Sequence, residues 1–365
     1  MNNIEEILEK AILLKDLSSE EATYLYKYAP INMLAKAANT IRIKKKGENN
    51  IVTWQIDRNV NITNVCTSGC LFCNFHCKPH QKDKAYITTI DEYVQKIEET
   101  IACGGDQLLL QGGMHPTLDI HYYENLFREL KSRYPNIKLH ALGPPEVAHI
   151  AKISSLTTID VLKRLITAGL DSLPGAGAEI LQSEIRKKIS PNKCNAEEWL
   201  KIMGEAHLLG LATSATMMYG HVETLEDRVA HLIKIRDLQA QKPEGAIGFI
   251  AFIPWIYCGK GTKLEERGVK EDRSPTNYIR MIAISRIVLN NIDNIQASWL
   301  TMGREVGMLS LHSGANDLGS VMIEENVVSS AGAKFTMSPE QMKQTIIDAG
   351  FTPQLRDQKY RNRVL

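Results

Sequence analysis

Three thiols within eight residues are the strongest chemical signal in this sequence: Cys66-Thr67-Ser68-Gly69-Cys70-Leu71-Phe72-Cys73 spaces them as C-x3-C-x2-C. Thiolates are ligands for soft metals and iron–sulfur clusters. A 4Fe-4S cluster held by only three cysteines keeps one iron free of protein ligands and open to a small molecule. Two other arrangements fit the same spacing: a zinc site with Cys77 or His76 as fourth ligand, and a four-cysteine electron-transfer cluster that uses Cys77. Structural zinc usually draws ligand pairs from two separated knuckles, and the remaining thiols, Cys103, Cys194 and Cys258, are scattered. Seven cysteines in 365 residues, four of them within twelve, are a poor disulfide scaffold and a good metal or cluster site.

The elements that position these residues follow from the hydrophobic pattern. The first fifty residues read as helices. After them, short apolar runs at 51–62, 107–111, 138–142, 170–173, 213–217, 247–253, 294–298 and 315–321 alternate with helical patterns near 90–103, 120–133, 159–168, 196–209, 225–241, 277–290 and 303–312. Strand–helix alternation implies parallel βαβ units, and eight strands suit a closed (β/α)8 TIM-type barrel, with an open doubly wound sheet as the runner-up. The predicted layout is a helical N-terminal extension over 1–50, the barrel over 51–335 and a C-terminal helical tail over 336–365. The tail would close the barrel mouth, with Arg356, Tyr360 and Arg361 as closing groups.

Catalytic residues of such barrels sit at the C-terminal ends of strands and in the loops that follow. The chemically unusual runs fall there. The cysteine motif follows the first strand, Gln111-Gly112-Gly113-Met114-His115-Pro116 the second, and Gly143-Pro144-Pro145-Glu146 the third. Pro174 to Glu179 follows the fourth, Tyr219-Gly220-His221-Val222-Glu223 the fifth, and Pro254-Trp255 the sixth, while Gln296-Ala297-Ser298-Trp299 ends the seventh.

Composition excludes several other functions. Lys+Arg 43 against Asp+Glu 42 leaves a formal charge of +1, which argues against nucleic acid or an anionic membrane as partner. No window holds eighteen consecutive apolar residues, and the N-terminus lacks the basic-then-apolar order of a signal peptide, so a cytoplasmic protein is expected.

C-x3-C-x2-C with Phe72 just before the last cysteine resembles the signature of the radical S-adenosylmethionine superfamily. The resemblance implies that Cys66, Cys70 and Cys73 hold a 4Fe-4S cluster whose open iron chelates S-adenosyl-L-methionine, and that reductive cleavage of this cofactor yields a 5′-deoxyadenosyl radical. It extends over about residues 50–335. Asn61 to Cys66, Leu110 to Pro116 and Tyr219 to Glu223 are similar to a group containing cyclic dehypoxanthinyl futalosine synthases, aminofutalosine synthases and F0-synthase radical subunits. His140 to Glu146, Ser190 to Cys194, Phe252 to Trp255 and Ile295 to Trp299 favour the first family. That family implies a cyclase of the futalosine route to menaquinone. The radical takes hydrogen from ribose C4′ of dehypoxanthine futalosine, and the carbon radical adds to the benzoate ring. A reducing partner such as flavodoxin or ferredoxin supplies the electron.

By the same resemblance, Phe72, Phe75, Gln111, Gly112, Gly113, Glu179 and Arg186 contact the cofactor, with Arg186 on the methionine carboxylate. Met114, Tyr219, Glu223, Trp255 and Trp299 line the substrate pocket. Restoring the aromatic ring needs a proton acceptor, for which His115, Glu146 and His221 are candidates. Relatives commonly carry Ala, Phe and Tyr-Arg after the third cysteine, whereas this chain has Asn74-Phe75-His76-Cys77. A zinc-stabilised binding protein on a barrel scaffold is the reading from a different class.

Overall fold

The structure is a computed structural model that describes residues 3–48, 50–333 and 335–364. Its strands are β1 (Ile51–Gln55), β2 (Asp57–Asn61), β3 (Gln107–Gln111), β4 (Lys138–Ala141), β5 (Ser172–Leu173), β6 (Ala212–Tyr219), β7 (Gly248–Ile256), β8 (Asn294–Ile295), β9 (Asp317–Ser320) and β10 (Thr352–Leu355). Strands β2 to β8 pair in chain order, every pair parallel. β9 pairs with β1 and meets the β8 side through a bridge between Gln296 and Asp317, so the sheet closes on itself. β1 and β2 are two halves of one stave, and the barrel has eight staves, as the sequence predicts.

The helices between the strands begin at their expected caps. Thr89 and Thr224 form capping boxes ahead of Ile90–Ala102 and Leu225–Ala240, and Asp119 caps Ile120–Arg133. Helices Ile4–Ile12, Ser19–Tyr28 and Ile31–Lys46 form the N-terminal layer, packed against Leu225–Ala240 and Pro275–Val288. Arg280 ties that layer down by donating to the Ala29 carbonyl at 2.7 Å, and Arg236 by donating to that of Leu17 at 2.9 Å. No described helix is long and apolar enough to cross a membrane.

Two features depart from the sequence expectation. The single run at 51–62 breaks at the fully buried Ile56, because the stave changes neighbours there. β1 lies between β9 and β10, and β2 lies beside β3. The C-terminal segment holds a helix, Pro339–Asp348, and then β10, which runs parallel to β1 in the register Ile51–Thr352 to Trp54–Leu355.

This pairing puts the tail under the barrel, at the N-terminal ends of the strands, and not across the mouth. Arg356 enters there. Its Nε and Nη2 donate to the buried Asp317 carboxylate at 2.6 and 3.0 Å, and its Nη1 donates to Gln55 Oε1 at 2.6 Å. Tyr360 lies against the Arg356 guanidinium, 3.9 Å from it to the ring centroid, and Arg361 pairs with Asp357 at 2.6 Å. Arg363 pairs with Asp106 just before β3 at 3.0 Å.

Removing one partner of a buried ion pair strands the other charge, at a cost of about 3–5 kcal/mol. Arg356→Met should therefore lower the unfolding free energy by about 3 kcal/mol or more in urea titration. The double variant with Asp317→Asn should recover a large part of it.

Candidate active site

β2 leads from the barrel wall into the cysteine loop, and the backbone fixes that loop from both sides. Cys66 N donates to the Cys77 carbonyl at 3.0 Å, and Thr67 N to the Met114 carbonyl at 3.1 Å. Leu71 N donates to Ile189 O at 2.8 Å, and Leu71 O accepts from Leu264 N at 3.0 Å. Gly113 explains why glycine follows β3. A Cβ there would lie 2.1 Å from the Val65 carbonyl oxygen and 3.0 Å from Cys66 Cβ, so only glycine lets the β3 end approach this closely. Met114 N donates to Cys66 Sγ at 3.3 Å, and the Ser68 hydroxyl lies 2.9 Å from Cys66 Sγ and 3.3 Å from Cys70 Sγ.

All three thiols face one cavity of about 400 Å³ inside the barrel. Phe72, Phe75, Gln111, Gly112, Gly113, Met114, Glu146, Glu179, Trp255 and Trp299 line it as well, together with Lys193. Cys77 does not; its backbone pairs with Val65 and Asn64, and its thiol lies near Asn64 Oδ1. His76 lines the cavity, and its Nδ1 lies 2.9 Å from the Cys73 carbonyl.

One wall carries a charged group. Lys193 Nζ sits 2.8 Å from Glu179 Oε1 and 5.4 Å from the Phe72 ring centroid. Burial works against the Lys193 charge, but Cys70, Glu179 and Glu146 outweigh it and hold the ammonium above its ordinary range. Burial likewise opposes ionisation of Glu179, yet Lys193 and Arg186 hold that carboxyl below its usual value. Glu179 also has a φ of +45°, a conformation that costs a non-glycine residue energy and recurs at functional positions. Glu146 sits in the first turn of Pro144–Ile153, a helix the sequence pattern hid behind its double proline. Burial pushes its carboxyl up, with Lys193 only partly offsetting this.

Five residues singled out by sequence lie elsewhere. Arg186 is buried, but its guanidinium donates to the carbonyls of Gly177, Ala178 and Cys194 and does not face the cavity. His115 lies outside the cavity, its Nδ1 accepting from Thr117 N at 3.2 Å. Tyr219, His221 and Glu223 form a buried cluster behind the end of β6. Glu223 accepts from the amides of Gly220 and His221 at 2.6 and 2.9 Å and from Arg228 Nε at 2.8 Å. Arg228 stacks on Tyr219 at 4.8 Å and reaches Tyr26 of the N-terminal layer at 3.1 Å. His221 Nε2 lies 3.1 Å from the Met218 carbonyl, and burial pushes its imidazole down, with Glu223 pulling the other way. Lys193 is the residue that sequence reasoning passed over, although its run from Ser190 to Cys194 stood out.

The donor set fits an iron–sulfur cluster. Among the described residues, no three His, Cys, Asp or Glu side chains converge on a position for a single metal ion, whereas the three thiols share one cavity wall. Burial pushes the Cys70 thiol up to about 11 and raises that of Cys73 too.

A closed parallel barrel with three thiols at the mouth of an internal cavity defines an enzyme of the radical S-adenosylmethionine class. Residues 60–235 match the model of the radical SAM superfamily, and residues 246–365 that of the CofH/MqnC C-terminal region. The chain is 42% identical to the cyclic dehypoxanthine futalosine synthase of Streptomyces coelicolor, over 100% of its own length and 90% of that protein. It is equally similar, at 42%, to the one from Halalkalibacterium halodurans, over 98% and 94%. Identity is 37% to the 5-amino-6-(D-ribitylamino)uracil–L-tyrosine 4-hydroxyphenyl transferase of Methanococcoides burtonii, over 94% and 95%. The fold matches that of the FeFe-hydrogenase maturase HydG from Carboxydothermus hydrogenoformans, with a TM-score of 0.76 at 15% identity over 98% and 80% of the chains. The chain belongs to the radical S-adenosylmethionine superfamily, in the family of the cyclic dehypoxanthine futalosine synthases.

Two outcomes test the geometry. Gly113→Ala should displace the Cys66 backbone and lower iron bound after reconstitution, whereas Gly204→Ala, whose new Cβ would meet only Leu238 at 3.5 Å, should load normally. Burial opposes ionisation of Glu223, but His221, Arg228 and the two amides hold its carboxyl below the usual range. A lowered folded value contributes stability above the unfolded value of about 4.3 and loses it as pH falls through the folded one. Glu223→Gln should thus destabilise the protein by about 3 kcal/mol at pH 7 and reduce its further loss of stability below pH 4, measured by urea unfolding across pH.

Proposed function

We propose that the chain cyclises dehypoxanthine futalosine to cyclic dehypoxanthinyl futalosine, a step of the futalosine route to menaquinone. The observation that carries this reading is 42% identity over the full length to two cyclic dehypoxanthine futalosine synthases. When bound, the 4Fe-4S cluster and S-adenosyl-L-methionine supply the adenosyl radical that removes hydrogen from C4′ of the ribose. Cys66, Cys70 and Cys73 hold the cluster. The glycine pair Gly112-Gly113, drawn close against the backbone of residues 62–66, lines the cavity beside them, where its peptide groups meet the cofactor's methionine end.

Lys193 takes the part that the resemblance gave to Arg186. It is the cation on the cavity wall near the thiols, and it orients the cofactor carboxylate while Glu179 fixes its ammonium. Trp255, Trp299 and Met114 give the benzoate ring apolar surface and keep water from it. Glu146 is the proton acceptor when the adduct radical loses one proton and one electron to regain aromaticity, the electron leaving to a one-electron carrier of the flavodoxin or ferredoxin kind. Of the three candidates, it alone lines the cavity, and its raised carboxyl is nearer working pH than a free one. The cluster's electron comes from an acidic carrier of the flavodoxin or ferredoxin kind, for which exposed Lys78, Lys82 and Lys84 after the cysteine loop offer a docking edge.

Anaerobic incubation of cluster-loaded protein with S-adenosyl-L-methionine, a reductant and dehypoxanthine futalosine should give 5′-deoxyadenosine and a product two mass units lighter. An unchanged substrate would overturn the reading. Glu146→Gln should cut cyclic product by about 100-fold or more while 5′-deoxyadenosine still forms. In the unmodified enzyme, the ratio of product to 5′-deoxyadenosine should rise with pH as Glu146 loses its proton. Equal loss of both products in the variant would remove Glu146 from this role. Lys193→Met should weaken S-adenosyl-L-methionine binding at least tenfold without changing iron content, as read by equilibrium dialysis.

A further inference from the structure

The cavity does not end in packed apolar side chains, as barrel interiors usually do. Its lower end, about 13 Å below the end of β2 at the strand rise per residue, is polar. Gln55, Asp57, Asn59, Gln107 and Gln358 line it, each between 2% and 5% exposed. Each presents at least one buried atom with no hydrogen-bond partner: Gln55 Nε2, Asp57 Oδ1, Asn59 Oδ1, Gln107 Oε1 and Gln358 Nε2. Unpaired buried polar atoms are costly, and they accumulate where a ligand is meant to satisfy them. Among the described residues, the Asn59 side chain hydrogen-bonds to nothing at all.

The chemistry of the missing partner can be read from this set. The set mixes two amide donors, on Gln55 and Gln358, with three carbonyl or carboxyl acceptors, on Asn59, Gln107 and Asp57, so the complementary group both donates and accepts. A carboxylate or phosphate, which only accepts, would leave Asn59, Gln107 and Asp57 unpaired. Nor, among the described residues of the floor, is a cation free to meet an anion: Arg356 is already bound by Asp317 and Gln55. Burial pushes the Asp57 carboxyl up, which further lowers the negative charge of the floor. Hydroxyl groups on a neutral carbon skeleton match both the mixed pattern and the lack of net charge.

We infer that the polar floor of the barrel, built on Asn59, Gln107 and Asp57, is a polyol subsite that binds the sugar hydroxyls of the substrate. On the functional reading above, on which this assignment rests, these are the ribose hydroxyls of dehypoxanthine futalosine. The sugar then sits at the bottom of the cavity with C4′ turned towards the thiol end. A residue kept for a ligand and not for packing carries a stability cost, so Asn59→Leu should unfold at the same or a higher urea concentration than the unmodified protein.

The test is a tryptophan-fluorescence titration that uses Trp255 and Trp299 in the cavity wall, on cluster-loaded protein with S-adenosyl-L-methionine and no reductant. The ligands are dehypoxanthine futalosine and its 2′,3′-dideoxy counterpart. The unmodified protein should bind the hydroxylated compound at least tenfold more tightly, and in Asn59→Leu and Gln107→Met this preference should shrink to threefold or less. An intact preference in both variants, equal weakening for both ligands, or no preference in the unmodified protein would mean that water alone fills the floor, and would overturn the assignment. Failure of the unmodified protein to bind dehypoxanthine futalosine would sink the functional reading instead. The same three proteins are then titrated with 5-amino-6-(D-ribitylamino)uracil as a polyol probe. Weaker binding by both variants would keep the subsite, and equal binding by all three proteins would overturn it.

Discussion

The buried pair of Arg356 and Asp317 is the point on which the rest of the molecule depends. It joins three segments: Asp317 opens the last stave, Thr53 and Gln55 of the first stave share the same polar cluster, and Arg356 arrives from the tail. A buried ion pair is often no more stabilising than well-packed apolar groups would be. What this one supplies is location. The carboxylate accepts from Thr53, the Gly319 amide and Arg356, so the first and last staves are joined where their pairing shifts, from Thr53 beside Asp317 to Gln55 beside Ser320. Closure of the barrel and closure of its floor are therefore a single event.

A sealed floor makes an internal cavity possible. Ser214 and Thr216 on β6 and Ala251 on β7 line the cavity with small side chains, where a filled barrel would carry bulky aliphatic ones. The upper end is covered by the segment after β9. Asn74 of the cysteine loop donates to the carbonyls of Lys260 and Ser330 at 2.9 and 3.2 Å, and Asn326 donates to Asn61 at 3.2 Å. A reactive radical needs such an enclosure, since water or a stray C–H bond would otherwise quench it.

The sequence revealed the barrel because its strands are apolar runs with clear stops. β3, Gln107-Leu108-Leu109-Leu110-Gln111, has the bounds its pattern implies. β10 was hidden for an equally physical reason. Thr352-Pro353-Gln354-Leu355 has neither alternation nor bulk, and its proline is tolerated because the strand lies at a sheet edge. At the site, the cysteine spacing was legible because ligand geometry constrains neighbours in sequence. The roles of His221 and Glu223 were not, since their side chains turn back on their own loop, and spacing does not tell which way a loop residue points. Arg186 and Lys193 lie seven residues apart on one excursion, and only the folded chain shows that the first holds carbonyls and the second faces the cavity.

The pairing of β10 with β1 also sets an order of events in time. The first stave of the barrel leaves the ribosome well before its partner strand, which lies about 300 residues further along the chain. Contacts so distant in sequence form slowly, because a long loop must close before they repay its entropy. Until β10 emerges, the nascent barrel lacks its base, and the edge of β1 that β10 covers waits unpaired. Such an edge invites association with other chains. The arrival of β10 thus decides how long the newborn protein stays vulnerable.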